Sequence, residues 1–86
     1  MSSVKKLRAL LVEAGEDVYH QLRRIGELQV DIEKLERASV GVVEGTDNPV
    51  NSAVLSSLTD ARRKCDDAVL ALNALRSTIA SIDGSL

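Results

Sequence analysis

Apolar residues recur at alternating steps of three and four in both halves of the chain, interrupted in the first half by one glutamine. The first series is Val4, Leu7, Leu11, Ala14, Val18, Gln21, Ile25, Leu28, Ile32 and Leu35. The second series is Val54, Leu58, Ala61, Cys65, Ala68, Leu72, Leu75, Ile79 and Ile82. A repeat of about 3.5 residues keeps one stripe of a helix turned toward a partner helix. The sequence therefore predicts two helices that pack along these stripes.

Capping residues indicate where each helix begins and ends. Ser2 or Ser3 can cap the first helix, expected over about residues 3–38, and Gly41 lies where a helix commonly stops. The connection 39–48 leads into Asn48-Pro49, which is typical of a helix start. The second helix is expected over about residues 49–83, followed by Gly84. Residues 1–86 are thus predicted to form one all-α domain, an antiparallel hairpin resembling a coiled coil.

The two series also predict which residues lie opposite one another. If the chain folds back near Val43, Leu28 faces Leu58 and Ile32 faces Val54. Small side chains then generally meet larger ones, as close packing prefers. Gln21 and Cys65 form a polar layer at mid-length, which costs stability but fixes the register.

Apolar residues outside the two series predict a second hydrophobic surface. We expect a partner to bind Leu22, Val30, Leu55, Val69 and Leu70. Singly exposed apolar residues are common, so scatter is the alternative. A hairpin of this size is only marginally stable alone, which favours association. The simplest assembly is a homodimer that forms a four-helix bundle, and a helical protein partner would serve equally.

Composition argues against several classes of partner. The chain has 11 basic and 13 acidic residues and a net charge of −2, so a nucleic-acid surface is not expected. No apolar run approaches the length of a membrane span, and the N-terminus lacks the apolar core of a signal peptide. We expect a cytoplasmic protein, or one exported without a cleaved signal peptide, that binds no membrane.

The sequence brings no catalytic or metal-binding groups together. His20 is the only histidine, and a single Asp17-x-x-His20 spacing supplies too few ligands for a metal site in a bundle. Cys65 is the only cysteine, so it is expected to pack as a small apolar side chain. An intermolecular disulfide or a reactive thiol is the alternative. We expect no enzyme activity, cofactor, metal or small-molecule substrate.

The two-helix layout resembles the WXG100 superfamily of small helical-hairpin proteins associated with type VII secretion. That resemblance implies two antiparallel helices that dimerise into a four-helix bundle. The connection 40–48 contains no Trp-x-Gly, and residues 77–86 contain no Tyr-x-x-x-Asp/Glu motif. The resemblance therefore implies a non-catalytic partner or targeting factor of a type VII-secreted toxin rather than the secreted substrate. The alternative is a self-associating structural or regulatory coiled-coil protein, for example from a phage or cytoskeletal assembly.

Overall fold

Two long helices account for the chain in the computed structural model, which describes residues 2–43 and 49–86 and the side chains of 2–40 and 52–86. Helix α1 spans Ser3–Val43 and helix α2 spans Pro49–Ser85. The two helices pack against each other along their lengths. The predicted two-helix, all-α hairpin is therefore confirmed.

The ends of the helices differ from the predicted ends at two glycines. Helix α1 runs through Gly41 to Val43 instead of ending near residue 38, and α2 runs through Gly84 to Ser85. A glycine inside a helix costs only about 1 kcal/mol relative to alanine, so neither glycine has to end its helix. At the start of α1, the amide of Lys5 donates to the Ser2 hydroxyl oxygen at 3.1 Å. Ser2 is thus the N-cap.

The hairpin is a thin rod of 67 × 15 × 15 Å with a radius of gyration of 19.5 Å. A compact domain of this length would have a radius of gyration of about 12 Å. The accessible surface is 6478 Å², about 1,500 Å² more than a compact monomer of 9.2 kDa exposes. Among the described apolar side chains, Val18, Ile32 and Cys65 are the buried ones. Two helices alone therefore provide only a narrow core.

Two columns of residues on α1 face α2. The first column contains Leu11, Val18, Ile25 and Ile32, which are buried or half-buried. The second contains Leu22, Gln29 and Glu36. In it, the Gln29 amide nitrogen Nε2 donates to Asp66 Oδ1 at 2.9 Å, and Glu36 Oε2 lies 3.4 Å from Arg62 Nη1. Leu22 is half-buried in the same column, one heptad before Gln29.

Helix α2 faces α1 with an equivalent pair of columns. One contains Leu58, Cys65, Leu72 and Ile79, and the other contains Leu55, Arg62 and Val69. The predicted stripes are right for the columns that contain Val18 and Cys65 and for the half-buried Ala14, Ala61 and Ala68. They are wrong for the exposed members, which are Val4, Leu7, Leu28, Leu35, Val54, Leu75 and Ile82. Gln21 is also exposed, so the predicted buried layer of Gln21 with Cys65 is wrong.

The predicted register is wrong as well. Gln29, expected near Leu58, bonds instead to Asp66, about two helical turns further along α2. Helix α1 is still helical at Val43, so the two helices cannot meet in the register that a fold-back near Val43 requires. The polar groups of Gln29 and Glu36 find partners across the hairpin at this register, which allows their column to face inward.

Candidate protein-binding face

Five members of each predicted stripe lie on the same side of the rod and form a surface here called the apolar face. Its three alanines are half-buried and its other residues are exposed. On α1 it consists of Leu7, Ala14, Gln21, Leu28 and Leu35, and on α2 of Val54, Ala61, Ala68, Leu75 and Ile82. On each helix these positions come one residue before an inward column, the one with Leu22 on α1 and the one with Leu55 on α2. Positions with this same offset lie on the same side of an antiparallel pair, because the rotation of one helix mirrors that of the other.

The opposite side of the hairpin is largely polar. Asp66, which accepts the bond from Gln29, lies one residue after the inward Cys65 and so marks this polar side. Its apolar residues are scattered, with Tyr19 and Val40 exposed on α1. At one end Leu11, Val12, Ile79 and Ala80 line an open groove of about 230 Å³ together with Arg76 and Asp83. The two long sides of the rod therefore differ in character.

The apolar face exposes large side chains along its whole length. The exposed fractions are 39% for Leu7, 49% for Leu28 and 53% for Leu35 on α1. They are 43% for Val54, 47% for Leu75 and 40% for Ile82 on α2. Large contiguous apolar patches on protein surfaces often mark interaction sites. The alanines at positions 14, 61 and 68 are small enough to let another helix approach closely.

The five residues that the sequence predicts as a binding surface are not brought together. Leu22, Leu55 and Val69 are half-buried on the columns that face the other helix, so their predicted position outside the packing stripes is wrong. Val30 and Leu70 are 49% and 69% exposed and point outward from separate helices. Their partner-binding role stays a prediction. In the sequence, the apolar face is marked by the leucines at positions 7, 28 and 35. Their spacing fits a stripe that packs against the other helix as well as it fits an exposed face, so the sequence alone does not distinguish the two.

The side chains that could bind a metal or act as nucleophiles are dispersed along the rod. The exposed His20 ring lies edge-on to the Tyr19 ring, with centroids 5.6 Å apart. Cys65 is a free, buried thiol. Within the described ranges, no three His, Cys, Asp or Glu side chains come together in a way that could hold a metal ion. Neither α1 nor α2 is apolar enough over a sufficient length to cross a membrane.

Comparison with known proteins gives no assignment. No family model, curated protein or solved structure matches this chain.

Proposed function

We propose that this chain is a non-catalytic protein–protein interaction module that binds through its apolar face. The observation that carries the proposal is the double stripe of exposed leucine, isoleucine and valine along one side of the rod. Covering this surface with another pair of helices makes a four-helix bundle, the simplest arrangement that gives each hairpin a second packed side.

The exposed area supports association. The chain exposes about 1,500 Å² more surface than a compact monomer of its mass. A stable protein interface buries about 800 Å² on each partner. The excess area is therefore enough for one interface of standard size, with the partner either a second copy or a helical protein.

In its specific form, the proposal makes the chain a WXG100-like partner or targeting factor of a type VII-secreted toxin. It would act in the cytoplasm or after export without a cleaved signal peptide. What supports this form is the hairpin of two nearly equal helices, 41 and 37 residues long, with an apolar face left uncovered. Binding would bury the helical segment of the secreted protein against that face.

A second candidate function is that of a self-associating structural or regulatory coiled-coil protein. The observation that favours it is the extended rod, 67 Å long and 15 Å wide, with a heptad repeat along both helices. A rod of this shape can act as a spacer or clamp in an assembly that contains only copies of itself.

Light scattering on two matched double variants tests the proposal. L28E/L75E places charges in the apolar face, whereas V30E/L70E places the same charges on exposed sites outside it. We expect the wild type and V30E/L70E to have about twice the 9.2 kDa chain mass, and L28E/L75E to be a helical monomer. A monomeric wild type, or an L28E/L75E variant that still associates, would contradict the proposal.

A further inference from the structure

The apolar face contains one polar side chain, and that side chain lies at its centre on α1. Gln21 is flanked symmetrically by Ala14 and Leu28, and then by Leu7 and Leu35. The other stripe positions, on α1 and α2 alike, are apolar. A glutamine amide buried without a hydrogen-bond partner costs about 1–3 kcal/mol. Any partner that covers the face must therefore bring a polar group to this position.

A second copy of the chain supplies such a group in one orientation. If two hairpins meet face to face with their α1 helices antiparallel, a two-fold axis through the middle of the α1 stripe places Gln21 opposite Gln21 of the second copy. Each amide can then donate to and accept from the other. In the parallel orientation, α1 of one copy lies over α2 of the other, where the stripe positions are apolar and both amides stay unpaired.

The packing of side chains around Gln21 also fits the antiparallel orientation. With the axis at Gln21, Ala14 lies opposite Leu28 of the second copy, and Leu7 lies opposite Leu35. Small residues thus meet large ones near the centre, and leucines meet at the ends. Alternation of small and large side chains across an interface is the pattern that close packing prefers.

Two charged residues next to Gln21 complete the match. Asp17 and Arg24 lie one turn to either side of Gln21 on the border of the apolar face, and both are exposed. Neither takes part in the ion pairs found within the described part of the hairpin. With the axis at Gln21, Asp17 of each copy lies opposite Arg24 of the other.

From these observations we infer that the partner on the apolar face is a second copy of this chain, bound antiparallel with Gln21 of both copies at the two-fold axis. Two reciprocal Asp17–Arg24 pairs border the paired amides. This inference rests on the proposed function, since it names the occupant of the same face. It adds an orientation and a register that the interaction module by itself does not require.

Cysteine cross-linking in the full-length chain tests the orientation. In a C65A background, which removes the native thiol, Q21C is expected to form a disulfide-linked dimer under mild oxidation. L28C is the matched control, because its two copies would lie about 21 Å apart along the rod. A mixture of the A14C and L28C chains should form a disulfide-linked heterodimer, because these two positions lie opposite each other. Cross-linking of L28C alone, with Q21C unreactive, would overturn the inference.

Charge reversal provides a second, independent test. D17R places arginine opposite arginine at both ends of the pair, so the dimer dissociation constant should rise about tenfold. The double variant D17R/R24D restores opposite charges and should bind within about threefold of the wild type. Failure of the double variant to recover overturns the inference. If L28E/L75E abolishes a dimer that Q21C does not link, the orientation is wrong and the proposed function stands. A monomeric wild type contradicts both.

Discussion

Gln29 of α1 donates a hydrogen bond to Asp66 of α2 across 2.9 Å, and this bond identifies both the register and the polar side of the hairpin. Its column on α1 also contains Leu22 and Glu36, so these residues face α2 as well. The neighbouring column with Leu7, Leu28 and Leu35 consequently turns away from α2. The exposure of these leucines follows from which of two adjacent columns the helices use.

Leu22 and Leu28 should respond differently to truncation. Leu22 is half-buried inside the hairpin, so L22A should lower the free energy of unfolding by about 1–2 kcal/mol. Leu28 is 49% exposed, so L28A should change the stability of the dilute monomer by less than about 0.5 kcal/mol and weaken association instead. Urea unfolding over a range of protein concentrations separates the two effects. A larger loss of stability for L28A than for L22A at low protein concentration would mean that the column of Leu28, and not that of Leu22, faces α2.

Gly15 and Gly26 should accept alanine with a gain in stability. A Cβ atom built at either position meets nothing within 4 Å, so the added methyl group has open space. Replacing a glycine inside a helix by alanine stabilises by about 1 kcal/mol, mainly because the unfolded chain loses freedom. The midpoint of thermal unfolding, followed by circular dichroism, should rise for G15A and G26A. A fall would indicate that α2 packs closely against Gly15, which lies one heptad before the inward Leu22, or that another backbone packs against Gly26 on the polar side.

The pair of Glu36 and Arg62 should be coupled. Glu36 Oε2 lies 3.4 Å from Arg62 Nη1, whereas the buried Oε1 atom has no hydrogen-bond partner within the described structure. R62A removes the cation that contacts this carboxylate in the described part of the hairpin and should cost about 1 kcal/mol. In a double-mutant cycle with E36A, the coupling energy should be about 0.5–1 kcal/mol. A coupling energy near zero would indicate that the pair is solvated and contributes nothing to the register.

Cys65 should be protected from thiol reagents in the folded chain. Its side chain is 9% exposed and lies on the column that faces α1. Only local or global unfolding gives a reagent access, so the rate of reaction with an aromatic disulfide should increase steeply with urea. The rate of reaction of the fully denatured chain gives the value for an unprotected Cys65. Rapid modification of the native chain would contradict the inward position of Cys65.

The sequence predicts the number, order and antiparallel pairing of the helices because a seven-residue repeat in each half allows few other folds. It does not decide between adjacent columns. On α1, the column of Leu7, Leu28 and Leu35 is more apolar than the column of Leu22, Gln29 and Glu36. The second column can face α2 because Gln29 bonds to Asp66 and Glu36 pairs with Arg62 across the hairpin. Such pairings depend on the register, which the end of α1 helps to set.

The same ambiguity between adjacent columns explains why the sequence does not predict the apolar face. The heptad repeat places Leu7, Leu28 and Leu35 in a packing stripe, which leaves Leu22, Leu55 and Val69 as predicted surface residues. Because the column of Leu22 faces inward on α1 and the column of Leu55 does so on α2, the leucines, isoleucine and valine of the apolar face lie exposed on one side. A single shift in the choice of column thus changes which residues face the other helix and which form the exposed apolar face.

Sedimentation equilibrium of the wild-type chain over a wide concentration range shows whether the apolar face is an interface between two copies. If the apolar face is an interface, the data should fit a reversible equilibrium between a 9.2 kDa chain and a species of twice that mass. The fraction of the larger species should increase with protein concentration. A single 9.2 kDa species up to millimolar concentration would contradict the account, because the face would then remain uncovered in solution.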